Sequence, residues 1–399
     1  MLNTSFSSWP SFDNDEVNAV KNVLLSNKVN YWTGEECQKF ENEFSIWAHS
    51  KYSIALSNGT VALDLALRAL DIGIGDEVIV TSRTFIASVS SIVNAGATPV
   101  FVDVDKNSQN ICPSLILPAI TKNTKGIMCV HLAGFPCEMD QIISIAKENN
   151  LRVIEDCSQA HGALYKGKSV GSIGDIGTWS FCQDKIMTTG GEGGMVTTNS
   201  KVLWAKMWSY KDHGKSWEAM SKNKPSNKFQ WVHDSFGTNW RMTEMQAAIG
   251  RIQLRKMQYW HISRKTNSER IIETCKKYPL LYRVPVIDKI FDHAWYKCYI
   301  FVNEKNMKDD WTRDRIVEEI NLQSVPCFVG SCSEVYLEKA FDKTKFRPKY
   351  RLKNAKELGE TSLMFLVHPS LTINEIDRAC AAINEVSILA TKVVSSKYK

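Results

Sequence analysis

What this chain lacks narrows the field first. No apolar run reaches the ~20 residues that a helix needs to cross a bilayer, so no membrane partner is expected. There is no long basic stretch. The 49 lysines and arginines oppose 43 acidic residues, and the net charge of +6 is dispersed, which leaves no footprint for nucleic acid. The 11 cysteines include no C-x-x-C pair, so no zinc site and no other metal is expected. The opening residues, MLNTSFSSWPSFDNDEV, lack the charged-then-apolar pattern of a secretory leader. Reduced thiols filling a core, and hence a cytoplasmic address, are the expectation. Internal repeats are missing too. What is present is ordinary for a globular protein: 44% hydrophobic and 23% charged residues. A length of 399 residues allows one large domain and a smaller one.

Apolar spacing predicts helices over 14–28, with Val17, Val20, Val23 and Leu24 on one face, and over 35–49. The stretch 30–34, NYWTG, is a turn between them. From residue 54 strands and helices alternate. Strands are expected at 54–56, 77–80, 99–104, 126–131, 152–155, 176–181 and 194–198, with helices at 61–70, 86–94 and 139–149. Continuous apolar strands between helices imply a mainly parallel, helix-covered sheet of the α/β class. Ligands collect at the carboxyl ends of such strands, where His131, Asp156, Gln159 and Lys185 fall. Residues 214–230 read as a loop over the site or a surface insertion. A helix is expected over 241–260. A strand at 293–302, a helix at 312–321, a strand at 362–367 and a closing helix at 374–390 form a smaller α+β domain. The SSKYK tail is expected to fray.

The chemistry centres on Ser180 to Gly194, SFCQDKIMTTGGEGG. Lys185 follows an apolar strand and precedes a glycine-rich turn. An amine there can be desolvated and made nucleophilic toward an aldehyde. Gly190, Gly191, Gly193 and Gly194 let backbone approach a bulky ligand. Asp156 ends a buried strand and must find a cation or a donor; a protonated pyridine nitrogen would serve, as would a helix N-terminus. Gln159 could donate to a ring hydroxyl. Phe85 could stack on a flat cofactor or fill the core. Ser180 could hold a phosphate or close a strand end. The turn Asn58-Gly59-Thr60 opens a helix whose free N–H groups suit a phosphate, or it is a plain cap. His161 reads as a satisfied structural histidine. The Tyr31-Trp32 turn and His213 are further candidates for sugar or nucleotide contact.

Five blocks, in order, carry a resemblance: Asn58-Gly59-Thr60 with its helix; Thr84-Phe85; Glu155 to Ala163; Ser180-Phe181 with Lys185 and TTGGEGG; and GTNWRMTEMQAAIGRIQL from Gly237. Together they resemble the DegT/DnrJ/StrS family of pyridoxal-phosphate-dependent sugar aminotransferases, over residues 10–390 or so. The resemblance implies the fold-type-I architecture. That is a large mainly parallel α/β domain with N-terminal helices (1–262), a small α+β domain (263–399), and a homodimer with shared active sites.

It also implies roles. Lys185 anchors the pyridoxal 5'-phosphate aldehyde and serves as general base. Asp156 pairs with the pyridine nitrogen, Gln159 approaches the ring hydroxyl, and Phe85 stacks on the ring. Gly59, Thr60 and Ser180 hold the phosphate, and Asn239 reaches the phosphate of the neighbouring subunit. The implied substrates are a nucleotide-linked keto-deoxy sugar, aminated at C3 or C4, and glutamate as donor, in surface-polysaccharide or O-antigen synthesis. Relatives with histidine in place of the lysine are dehydratases, and Lys185 argues against that branch. A sugar-nucleotide-binding regulator with a dead site would lose Lys185 or Asp156. One departure stands out. Residues 325–336, VPCFVGSCSEVY, lack the histidine that many relatives carry near the sugar.

Overall fold

The structure is a computed structural model that describes residues 6–222 and 230–392. The central sheet holds β1 (Tyr52–Leu56), β2 (Glu77–Thr81), β3 (Thr98–Val102), β4 (Thr124–Val130), β5 (Arg152–Asp156), β6 (Ile176–Ser180) and β7 (Gly194–Thr198). Their spatial order is β1-β7-β6-β5-β4-β2-β3. The pairs β2–β3, β2–β4, β4–β5 and β5–β6 are parallel, while β7 runs antiparallel to both β6 and β1. Strands β5 and β6 are buried along most of their length, as helices on both faces require.

The helices begin where the sequence provides caps. In α1 (Asn14–Ser26) Asp13 and Glu16 form a reciprocal capping box. After α2 (Glu36–Trp47) and β1, α3 (Gly59–Ala69) is capped by Asn58, whose Oδ1 accepts from Val61 N at 3.0 Å. Helices α4 (Ala87–Asn94) and α5 (Met139–Glu148) complete the alternation, and α6 (Lys201–Lys211) and the short α7 (Trp217–Lys222) follow the sheet. Residues 223–229 of the polar stretch and the SSKYK tail lie outside the described residues.

Three expectations are corrected. The face assigned to α1 is only half right: Val23 is buried, but Val17 and Leu24 are exposed and Glu16 is buried instead. Glu16 goes inside because Lys256 Nζ meets its Oε1 at 2.7 Å. The helix expected over 241–260 runs on as α8 (Glu244–Lys276). No proline or glycine breaks the polar stretch after Trp260, and burial continues at Arg264, Ser268, Ile271, Ile272 and Cys275. The strand expected over 293–302 survives only as Cys298–Val302. Upstream, Trp295 adopts φ +52°, and Ala294 N and Tyr296 N donate to Gly134 O and Ala133 O.

Beyond α8 the strands Tyr282–Arg283, Cys298–Val302, Ser362–Phe365 and Cys327–Phe328 form an antiparallel sheet in that order. Helices α9 (Arg313–Leu322), α10 (Lys353–Thr361) and α11 (Ile373–Ala390) accompany it. Its own core gathers Ile300, Ile316, Phe365 and Ile383 around the C-terminal half of α8. All 11 cysteines are unpaired; Cys37, Cys129, Cys137, Cys157, Cys275, Cys298 and Cys327 are buried, and Cys332 is exposed. No helix among the described residues is long and apolar enough to cross a membrane.

Candidate active site

The carboxyl ends of β2, β4, β5 and β6 share one edge of the sheet, and the candidate groups gather there. Asp156 is the last residue of β5 and is buried. Ser88, on α4, donates its hydroxyl to Asp156 Oδ2 at 2.8 Å, and Ser158 N donates to Oδ1 at 3.1 Å. Thr84 Oγ1 lies 2.8 Å from Ser88 Oγ, so the turn after β2 braces the same carboxylate.

Beneath Asp156 lies a second buried carboxylate. Glu155 Oε2 accepts from His131 Nε2 at 3.1 Å and Gly171 N at 2.8 Å; Oε1 accepts from Ile173 N at 2.9 Å and Gly174 N at 2.6 Å. His131 Nδ1 accepts from Cys137 N at 2.9 Å, which puts the donating proton on Nε2. Burial opposes charge on both groups. Even so, the His131 Nε2 donor with the Gly174 and Gly171 amides holds Glu155 below its ordinary value. The ligand atoms of His131, Glu155 and Cys157 lie within 4.8 Å of one another, a grouping that metal sites use. Here the four lone-pair directions of Glu155 and both His131 nitrogens are engaged, so the cluster is a hydrogen-bonded brace. His131 also donates its backbone N–H to Asp156 O at 3.1 Å, tying the brace to the site.

Gln159 is fixed by its oxygen: Oε1 accepts from Ala133 N at 2.8 Å, and its donating end is therefore the other one. Ala133 O in turn accepts from Tyr296 N at 2.9 Å. Phe85 is 67% exposed, which rules out the core reading and leaves its ring face open just before α4.

The start of α3 packs on the end of β6. A Cβ on Gly59 would lie 2.5 Å from Ser180 Cβ, and one on Gly194 would lie 2.3 Å from Asn58 O. Only glycine fits at either position. The first N–H groups of α3 thus sit against the Ser180 side chain, with Thr60 on the exposed side. Ser180 Oγ accepts from Cys182 N at 3.3 Å.

Lys185 stands on the loop after β6. Its N–H donates to Cys182 O at 3.1 Å, and Trp9 Nε1 donates to Lys185 O at 2.7 Å, so the N-terminal segment clamps the loop. The turn beyond needs Gly190 and Gly191, at φ +89° and +125°. The Lys185 side chain is 18% exposed, and its Nζ lies 3.4 Å from Asp184 Oδ1. Asp184 also accepts from the Tyr296 hydroxyl. Burial raises the Asp184 carboxyl, but Lys185 and that hydroxyl outweigh it and hold it low.

Asn239 lies on a segment that runs beside the end of β1, next to the Asn58-Gly59-Thr60 turn. It is exposed, accepts from Arg241 N at 3.4 Å, and bridges Asp212 on a segment whose Trp240 O accepts from Ser57 N. His161 is wholly buried against Trp179 and Phe181, and both its ring nitrogens lack partners; burial, then Lys185 and Arg264, push it down to about 3. Tyr31 is buried with its hydroxyl on Glu41, whereas Trp32 carries Lys215 Nζ 4.0 Å from its ring. His213 takes a left-handed turn at φ +61°. The departing segment 325–336 meets the sheet edge through Val335 N, which donates to Ser82 O at 3.0 Å.

Sequence reasoning missed Ser88, Asp184, Tyr296 and Trp9. Ser88 lies in the first turn of α4, just after the strand end of β2, and a hydroxyl at that place was the usable signal. Tyr296 and Trp9 carried none, because long-range packing brings them in.

Residues 10–384 match the DegT/DnrJ/EryC1/StrS aminotransferase family. The chain is 38% identical over 380 residues to GDP-perosamine synthase of Escherichia coli O157:H7, covering 94% of this chain and 96% of that one. It is 34% identical to dTDP-3-amino-3,6-dideoxy-alpha-D-galactopyranose transaminase of Aneurinibacillus thermoaerophilus, covering 89% and 91%. Among solved structures, an aminotransferase from Psychrobacter cryohalolentis superposes with a TM-score of 0.95 at 60% identity, covering 96% and 99% of the two chains. The chain belongs to the DegT/DnrJ/EryC1/StrS aminotransferase family.

Proposed function

We propose that this protein is a pyridoxal-phosphate-dependent aminotransferase that places an amine on a nucleotide-linked keto-deoxy sugar, at C3 or C4, with glutamate as donor. Its relatives named for GDP- and dTDP-linked amino sugars support the substrate class. The residues fit the cofactor: a cradle at Gly59 that a Cβ would fill, an open ring face at Phe85, a buried carboxylate at Asp156 and an amine at Lys185.

When bound, pyridoxal phosphate supplies an aldehyde that takes the amine and a cationic ring that withdraws electrons. Lys185 Nζ would hold the aldehyde and, once released from it, would act as the general base and acid for the donor and sugar protons. Asp156 would face the ring nitrogen, and Ser88 aims it through the hydrogen bond to Oδ2. Gln159 Nε2 donates to the ring hydroxyl, and Phe85 covers one face. The N–H groups of Gly59 and Thr60, with the Ser180 hydroxyl, hold the phosphate.

Asn239 completes that phosphate site from a second copy of the chain, in a homodimer. The exposure of Asn239, and of Ile74 (93%) and Phe236 (96%) around a 610 Å³ surface cavity, supports a face that another copy covers. We also divide the chain into domains 1–262 and 263–399, joined through α8, and assign a cytoplasmic enzyme of surface-polysaccharide synthesis.

The observation that carries the reading is the meeting of an amine loop, a braced carboxylate and a glycine cradle on one sheet edge. The test is optical. Purified protein should be yellow and bleach with glutamate; colourless protein after cofactor is supplied would contradict it.

A further inference from the structure

Two amines share one aromatic ring beside the Lys185 loop. Lys185 Nζ lies 5.4 Å from the Tyr296 ring centroid, and Lys297 Nζ lies 4.8 Å from it. A third cation, Arg264 of α8, is 1% exposed and donates from Nη1 to Tyr296 O at 3.3 Å. Its Nε and Nη2 have no hydrogen-bond partner among the described residues. Among the described residues the carboxylate that acts on Lys185 and Lys297 is Asp184, already taken up by Lys185 and the Tyr296 hydroxyl. His161 and His368 add no charge near neutral pH, because burial holds both at about 3.

A buried guanidinium with unused N–H groups, beside a half-buried ammonium, is an unfavourable arrangement unless an anion joins it. The cofactor phosphate is assigned elsewhere, to the Gly59–Ser180 cradle. The anion required near Tyr296 is therefore a different one. An amino acid whose amine is handled at Lys185 carries its carboxylate one carbon from that amine.

We propose that Lys297, backed by Arg264, seats the carboxylate of the amino donor, and that Lys297 makes the enzyme select donors by that group. This rests on the aminotransferase reading above. Lys297 is a specificity-determining residue here and takes no part in proton transfer. Burial, then Arg264 and Lys185, push it down to about 8, against the pull of Asp184. Donor affinity should therefore weaken as pH rises through that value. The titratable or charged groups facing Lys297 are Lys185, Asp184, Arg264, Tyr296 and His368.

The test uses holoenzyme in three forms: wild type, Lys297→Met and Lys297→Arg. Two readouts are taken without any sugar: bleaching of the visible band by L-glutamate, and equilibrium binding of glutarate, which carries carboxylates but no amine. In Lys297→Met the glutamate concentration for half-bleaching and the glutarate Kd should rise roughly 10–100-fold, the loss expected for a charge-assisted bond. Lys297→Arg should restore most of both. UDP-glucuronate, whose carboxylate is on a sugar, should bind wild type and Lys297→Met alike. Equal glutamate and glutarate responses in wild type and Lys297→Met would overturn the carboxylate seat while leaving transamination standing. A methionine effect confined to UDP-glucuronate would assign the seat to the sugar and also overturn the proposal. A wild type that neither bleaches with glutamate nor binds glutarate would overturn this proposal and the glutamate reading together.

Discussion

The floor and the rim of this site are built on opposite terms. At the floor, Asp156 and Glu155 are buried and each carboxylate accepts hydrogen bonds on both oxygens, from Ser88, Ser158, His131 and the Gly171–Gly174 turn. At the rim, Phe85 and Asn239 are exposed. The floor is a finished piece of structure within one chain, held by the sheet that carries it. On the proposed reading, the rim presents groups whose partners come from outside: a flat ligand for Phe85 and a second copy of the chain for Asn239. Damage to the floor should therefore reach stability or chemistry, according to which carboxylate is hit, and damage to the rim should reach binding alone.

That contrast can be broken in four places. The largest effect is expected from His131→Ala, which leaves the buried Glu155 carboxylate without its Nε2 donor and opens a cavity beside it, and should cost ~3–5 kcal/mol of stability. Urea unfolding would measure it, and an unchanged midpoint would mean the floor is not braced as described. The same brace has a pH signature. Glu155 is held below its ordinary carboxylate value, so its stabilisation is present above about pH 4.3, the unfolded value, and is lost as pH falls through the lower folded one. Wild type should lose stability below that range more steeply than His131→Ala.

Next comes Asp156→Asn, which keeps the shape and removes the charge. Its turnover should fall ~10²–10³-fold with the fold intact, as for loss of one preorganised electrostatic contact. Ser88→Ala should cost less, about tenfold or under, corresponding to a net hydrogen bond of ~1 kcal/mol. The loss should fall on kcat rather than on sugar KM, because Ser88 acts through Asp156. Smallest is Phe85→Ala at the rim, where loss of a stacked ring should weaken cofactor binding ~2–10-fold and leave the melting temperature of the apoprotein unchanged. A large drop in apoprotein stability would move Phe85 to the floor.

The same contrast explains what the sequence made legible. Asp156, Gln159, Ser180 and Lys185 could be read because each ends a strand or follows one, and strand ends are visible as breaks in apolar runs. Gly59 was legible as a helix start, and its contact with Ser180 is what makes glycine necessary there. Tyr296 was assigned to a strand that the structure replaces with a loop, since its backbone partner, Ala133, is 163 positions away and local spacing is blind to it. Glu16 inside α1 was missed for a related reason: the cation that makes its burial possible, Lys256, sits on α8. In both cases a long-range partner overrode local preference.

The account's central claim is that the amine at 185 is the one joined to the cofactor. Borohydride reduction of the yellow enzyme, followed by peptide mapping by mass spectrometry, tests it directly. The account predicts a single pyridoxyl adduct on Lys185, lost in Lys185→Ala. An adduct on Lys297, or none on any lysine of a yellow protein, would contradict it.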